Sequence, residues 1–126
     1  MKTTLEAYYT KQPEAIRECL LALKAIVLRL DARITHVRKF QIPFFYLGNR
    51  KLAFLWVNRK KLLFGFVTDK SVLPQQEGTR KRNHFETIEI NPDEDIPQEY
   101  IVARLQALIT LYDECDGGMC QTAYPL

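Results

Sequence analysis

Residues 13–30 repeat apolar side chains with the period of an α-helix. Ile16, Leu20, Leu23, Val27 and Leu30 form one stripe, widened by Cys19 and Ile26. Pro13 suits the first turn because its missing donor would be unpaired there anyway, and Glu14 and Glu18 complement the positive end of the helix dipole. Arg17, Lys24 and Arg29 populate the outer face. Upstream, Leu5, Tyr8 and Tyr9 are spaced for a preceding helical turn that packs its rings against the domain edge.

From Ile34 the period changes to two, and the stretch from Arg33 to Thr68 organises the rest of the chain. Ile34, His36, Arg38 and Phe40 alternate with Thr35, Val37, Lys39 and Gln41, so neither side is purely apolar, as in an edge strand. Pro43 marks a bulge, an edge or a break, after which Phe44 to Leu47 resume the strand. Gly48-Asn49, with Arg50, supplies hairpin turn chemistry. Lys51 to Asn58 place Leu52, Phe54 and Trp56 on one face and Ala53, Leu55 and Val57 on the other. Asn58-Arg59-Lys60 turns the chain again, and Leu62 to Thr68 forms a further strand in which Gly65 permits a bulge or close backbone approach. Residues 69–83 read as a loop with one short helical turn around Val72 and Leu73. Phe85 to Ile90 forms a half-exposed last strand. After an acidic turn, Pro97 begins a second long helix with the stripe Ile101, Leu105, Leu108, Ile109 and Tyr112, ended by Gly117-Gly118.

This order predicts an α+β fold. An antiparallel sheet of four to five strands carries the N- and C-terminal helices on one face, as a two-layer sandwich. Residues 1–118 form a single domain, and 119–126 are a loosely attached tail. The 126 residues suffice for one core. With 47% hydrophobic and 26% charged residues, the chain is globular rather than disordered or fibrous. No apolar run reaches the roughly 18 residues needed to cross a bilayer, and no signal peptide is evident, so no membrane partner and a cytoplasmic location are expected. Three cysteines in such a chain argue for free thiols. The net charge of +3 is too small to require a nucleic-acid partner, and none is expected.

Chemistry is sparse. His36 and His84 lack metal-ligand spacing. Cys115, among Asp113, Glu114 and Asp116, would be a poor thiolate because negative neighbours raise its pKa. Asp93, Glu94, Asp95 and Glu99 read as charge compensation at a helix start. No nucleophile, base and oxyanion donor are brought together by spacing, so no catalytic residues, metal site or cofactor are assigned and an enzyme is not expected. Basic groups do flank the aromatic strands: Arg59-Lys60-Lys61 and Arg80-Lys81-Arg82. Cations beside aromatic faces can hold phosphates and stack rings.

The run Lys39-Phe40-Gln41-Ile42-Pro43-Phe44-Phe45, then Gly48 to Lys51, Lys60-Lys61 and Phe64 to Phe66, resembles the YdhG-like family of small bacterial domains. Tyr8-Tyr9 before Gln12-Pro13-Glu14, and Arg80 to Ile90 before Pro97, follow its usual order, so the likeness spans about residues 5 to 114. The resemblance implies a helix, antiparallel sheet, helix sandwich without an active site of known chemistry. One branch of that family is described as a frataxin-like iron chaperone. Iron carriage there relies on carboxylates along the first helix and adjacent strand, since iron ions favour oxygen ligands. Here those regions carry Arg17, Lys24, Arg29, Arg33, Arg38 and Lys39, and Lys61 stands where many relatives have a histidine.

The expected function is a non-enzymatic binding module. A small anionic or aromatic ligand would lie on the concave sheet face, lined by Phe44, Tyr46, Phe54, Trp56, Phe64 and Phe66, with Arg38, Lys61, Arg80 and Arg82 at the rim. The alternative is a metallochaperone or interaction domain that uses the same face to pair as a homodimer.

Overall fold

The computed structural model describes residues 4–73 and 82–115. Its helices are α1 (Thr4–Thr10), α2 (Glu14–Leu30) and α3 (Gln98–Glu114). The strands are β1 (Ile34–Lys39), β2 (Ile42–Leu47), β3 (Arg50–Asn58), β4 (Lys61–Thr68) and β5 (His84–Ile90). Each strand pairs antiparallel with its sequence neighbour, giving an open meander in the order β1-β2-β3-β4-β5. All three helices bury their apolar sides in one cluster with one face of this sheet, so the architecture is the α+β two-layer sandwich that the patterning predicts.

The helices form for the reasons their sequences give. Ile16, Cys19, Leu20, Leu23, Ile26 and Val27 of α2 are buried, as are Ile101, Leu105, Leu108, Ile109 and Tyr112 of α3. Pro13 stands just before the first turn of α2, where its carbonyl accepts from the Arg17 N–H at 2.8 Å. Tyr8 and Tyr9 of α1 are buried in the core rather than resting at its edge. The Tyr8 hydroxyl accepts from the Val57 N–H at 3.0 Å, meeting a donor on β3 beyond the point where β2 pairs with it. Val72 falls in the expected short turn, a 3-10 helix (Lys70–Val72) capped by the Asp69 side chain, which accepts from the Ser71 N–H.

Polar links tie the layers together at their margins. The Tyr112 hydroxyl lies 2.7 Å and 2.8 Å from the Lys51 and Val67 carbonyls, which share its one proton, and it accepts from the Asp69 N–H at 2.9 Å. Arg104 of α3 donates to both carboxylate oxygens of Glu86 on β5, at 2.8 Å and 2.6 Å, and its guanidinium sits 5.0 Å from the centre of the Phe66 ring. Arg33 joins Asp31, at the end of α2, to Asp113 of α3.

Three details differ from the pattern-based expectation. First, Phe40 and Gln41 do not extend the first strand. They form a two-residue hairpin turn at φ 54° and 67°, and Arg59-Lys60 does the same at φ 53° and 68°. Such turns match strand twist but normally call for Asn or Gly, so Phe40-Gln41 carries no turn signal. Gly48 alone has positive φ in its turn, where glycine is the expected choice. Second, Pro43 lies inside β2 opposite Arg38, tolerated because pairing of β2 with β3 begins only at Phe44. Third, a register shift between Phe45 and Tyr46 leaves Leu52 unpaired and turns it into the helix-side core beside Ala53. Leu52 therefore does not share a face with Phe54 and Trp56.

Candidate functional site

Cross-strand register sorts every strand residue onto one of two faces. The helix-facing side takes Phe45, Leu52, Ala53, Leu55, Leu62, Phe64, Phe66 and Ile90, all buried. Phe64 and Phe66 belong to this core. Their pairing with Leu55 and Ala53 places them under the helices, which removes them from the expected ligand site. Arg38 also lies on the helix side, paired with Pro43 on the same side as His36, so it is not at the rim of the opposite face.

That opposite face is crossed by no described helix. Phe44, Tyr46, Phe54 and Trp56 all lie on it, as expected, together with Val37, Leu63, Gly65, Val67 and Phe85. Phe44 and Phe54 are only 3% and 7% exposed and, with Val67, form a second small cluster. Their rings meet at 5.3 Å between centres. The Phe54 ring covers Gly65, and a methyl at Gly65 would overlap it. Other rings and side chains here stay open to solvent: Phe40 is 72% exposed, Phe85 53%, Val37 40% and Trp56 39%. Phe40 and Phe85 stand edge-on to the buried pair, at 5.9 Å from Phe44 and 6.2 Å from Phe54. The buried pair is a floor that fixes Phe40 and Phe85 in place.

Cations accompany the rings. Lys39, Lys51 and Lys61 point to this face by register, and Arg59 and Lys60 are exposed at the β3–β4 turn. The Lys39 ammonium lies 5.7 Å from the Phe40 ring centre and that of Lys51 5.7 Å from Tyr46, within cation–π reach. Glu89 is the only carboxylate that strand register directs to this face among the described residues. Arg82 is exposed ahead of β5, and Arg80 lies outside the described residues. The tail 119–126, Gly117-Gly118 and Cys120 lie outside them as well.

Pattern reading missed Val37, Phe40, Lys39, Lys51 and Phe85 as members of this surface. Phe85 was legible from the alternation of the last strand. Phe40 was not, because nothing marked it as a turn residue.

Elsewhere the titratable groups serve the fold. His36 stacks on Phe45 at 4.6 Å and hydrogen-bonds the Tyr9 hydroxyl at 2.8 Å, and burial, with Lys24 nearby, holds its pKa down to about 4. His84 begins β5 at the opposite edge of the sheet, so the two histidines share no site. Burial raises the Cys19 thiol pKa, and Cys115 caps the end of α3. Two clefts among the described residues lie beside α2 and at the start of α3. One holds Ala15, Glu18, Cys19, Pro92, Glu94, Asp95 and Ile96, and the other, of about 790 Å3, follows the start of α3 from Ile96 to Val102. Neither touches the aromatic face. Among the described residues, no group of three or more His, Cys, Asp or Glu side chains is placed to hold a metal ion. No described helix is long and apolar enough to cross a membrane.

Comparison with family models, curated proteins and solved structures yields no match for this chain.

Proposed function

We propose that this protein is a non-enzymatic binding module whose working surface is the helix-free face of the sheet. The observation that carries the reading is the company of exposed Trp56, Phe85 and Phe40 with Lys39, Lys51 and Lys61 on that side, against a single register-directed carboxylate. Exposed rings offer stacking and dispersion, and the ammonium groups offer charge, so the fitting ligand is anionic and carries planar rings. Contact is with the exposed rings themselves, which the clefts beside α2 and at the start of α3 do not include.

Pairing of two copies through this face is the weaker reading. A two-fold contact would set the lysines of one copy on the same patch of the other, with little acid to offset them. Iron carriage finds no support among the described residues, whose carboxylates form no ligand group. Membership of the YdhG-like family is also proposed, and it rests on the run from Lys39 to Phe45, which builds the β1–β2 hairpin of this same surface.

Trp56 is the only tryptophan, so its fluorescence reports on the face directly. Titration with a panel of planar aromatic acids should give a saturable change with at least one. A flat response throughout contradicts the proposal.

A further inference from the structure

The shape and spacing of this surface narrow the ligand class, on the footing of the binding reading above. We infer that it binds single-stranded nucleic acid, with bases stacked on Trp56, Phe85 and Phe40 and phosphates held by Lys39, Lys51 and Lys61.

Four observations lead there. The exposed rings are spread across the sheet rather than gathered round one point. Trp56 on β3 and Phe85 on β5 are two strands apart, about 10 Å in the pairing direction, and Phe40 stands at the far β1–β2 turn. A single small planar molecule covers one such ring, whereas a chain of bases can meet several.

Next, cations alternate with rings. Lys39 is beside Phe40, Lys51 is beside Tyr46, and Lys61 follows Trp56 toward the β3–β4 turn. A nucleic-acid strand has the same alternation of flat base and charged linkage, and open antiparallel sheets that present aromatics recognise single strands in this way.

Third, Phe40 and Phe85 are held edge-on by the buried Phe44 and Phe54, so little side-chain freedom is lost when a base settles on them. Finally, both hairpins at this end of the sheet hold ordinary residues at positive φ, which costs about 1–2 kcal/mol per residue. That geometry places Phe40 at one tip and Arg59-Lys60 at the other. A duplex hides the faces of its bases and cannot use such rings. The small net charge of the whole chain gives no hint of this, because the helices and the connecting turns carry most of the acids that balance it.

The test uses the intact protein and an oligothymidylate of about 12 nucleotides, with Trp56 fluorescence and anisotropy of a labelled strand as readouts. Saturable quenching is expected. Affinity should fall with salt at a log–log slope of about −0.7 for each phosphate contacted, and Lys61→Gln should make that slope shallower by about 0.7. Phe85→Ala, at an exposed edge position, should weaken binding roughly 5- to 150-fold. Circular dichroism of each variant establishes that it is folded.

Inorganic polyphosphate and vesicles of phosphatidylglycerol are run in parallel. Equal affinity for polyphosphate, with no effect of Phe85→Ala, overturns the inference in favour of a plain polyanion site. Binding to vesicles but not to the strand overturns it in favour of a membrane surface. Quenching by small aromatic acids without strand binding overturns it and leaves the proposed function intact. No response to any of these probes overturns both.

Discussion

Leu55 and Trp56 are adjacent in β3, yet the first is sealed under the helices and the second is 39% exposed. Strand β5 repeats the contrast, with Ile90 2% exposed on the helix side and Phe85 53% exposed on the other. Both faces are rich in large apolar groups, but the described helices cover only one. The lesson is that apolar alternation specifies a pleat, and the partner layer decides what each side is for. On the covered side, shape-matched packing stabilises the fold. On the other, two buried phenylalanines consolidate the surface and leave the remaining rings at work in solvent.

If the faces differ this way, substitutions should sort by face. The largest effect is expected from Leu55→Ala, which opens a cavity in the helix-side core and should cost about 2–5 kcal/mol by urea denaturation. Phe85→Ala on the opposite face should cost about 1 kcal/mol or less. Equal losses would mean that both faces are core.

Gly65→Ala sharpens the contrast, since the added methyl overlaps the Phe54 ring. A loss of about 1–3 kcal/mol is expected, with part of it recovered in the double variant Gly65→Ala/Phe54→Leu. Additive losses would show that ring and glycine do not touch. Tyr112→Phe should cost about 1–3 kcal/mol, because it leaves the Asp69 N–H and one strand carbonyl without their partner.

A smaller, pH-dependent effect belongs to the covered side alone. His36 has its pKa depressed to about 4 in the fold against about 6.5 when unfolded, so the unfolded chain takes up the proton first. Its contribution is present above pH 6.5 and is lost as pH falls from there toward 4. The urea midpoint should therefore drop between pH 7 and pH 5, and His36→Phe should flatten that slope. An unchanged slope would place the titration elsewhere.

Much of this was legible in the chain. The stripes of α2 and α3 and the alternation of β5 follow directly from residue spacing, and the helix-sheet-helix order follows from them. Face assignment failed where a local feature reset the count. The register shift beside Leu52 moved that residue under the helices, and alternation alone could not tell which side of β4 the helices would take, so Phe64 and Phe66 were assigned to the wrong surface. Phe40 escaped because a bulky residue at positive φ has no sequence signal. Of the expected ring set, Phe44, Tyr46, Phe54 and Trp56 do share a face.

The most direct measurement is access of a soluble nitroxide to side-chain NMR signals of the free protein. Trp56, Phe85 and Val37 should broaden strongly, while Leu55, Leu62 and Phe64 hold their intensity. Equal protection of Trp56 and Leu55 would show the face to be covered, and would contradict the claim that this side of the sheet is open for recognition.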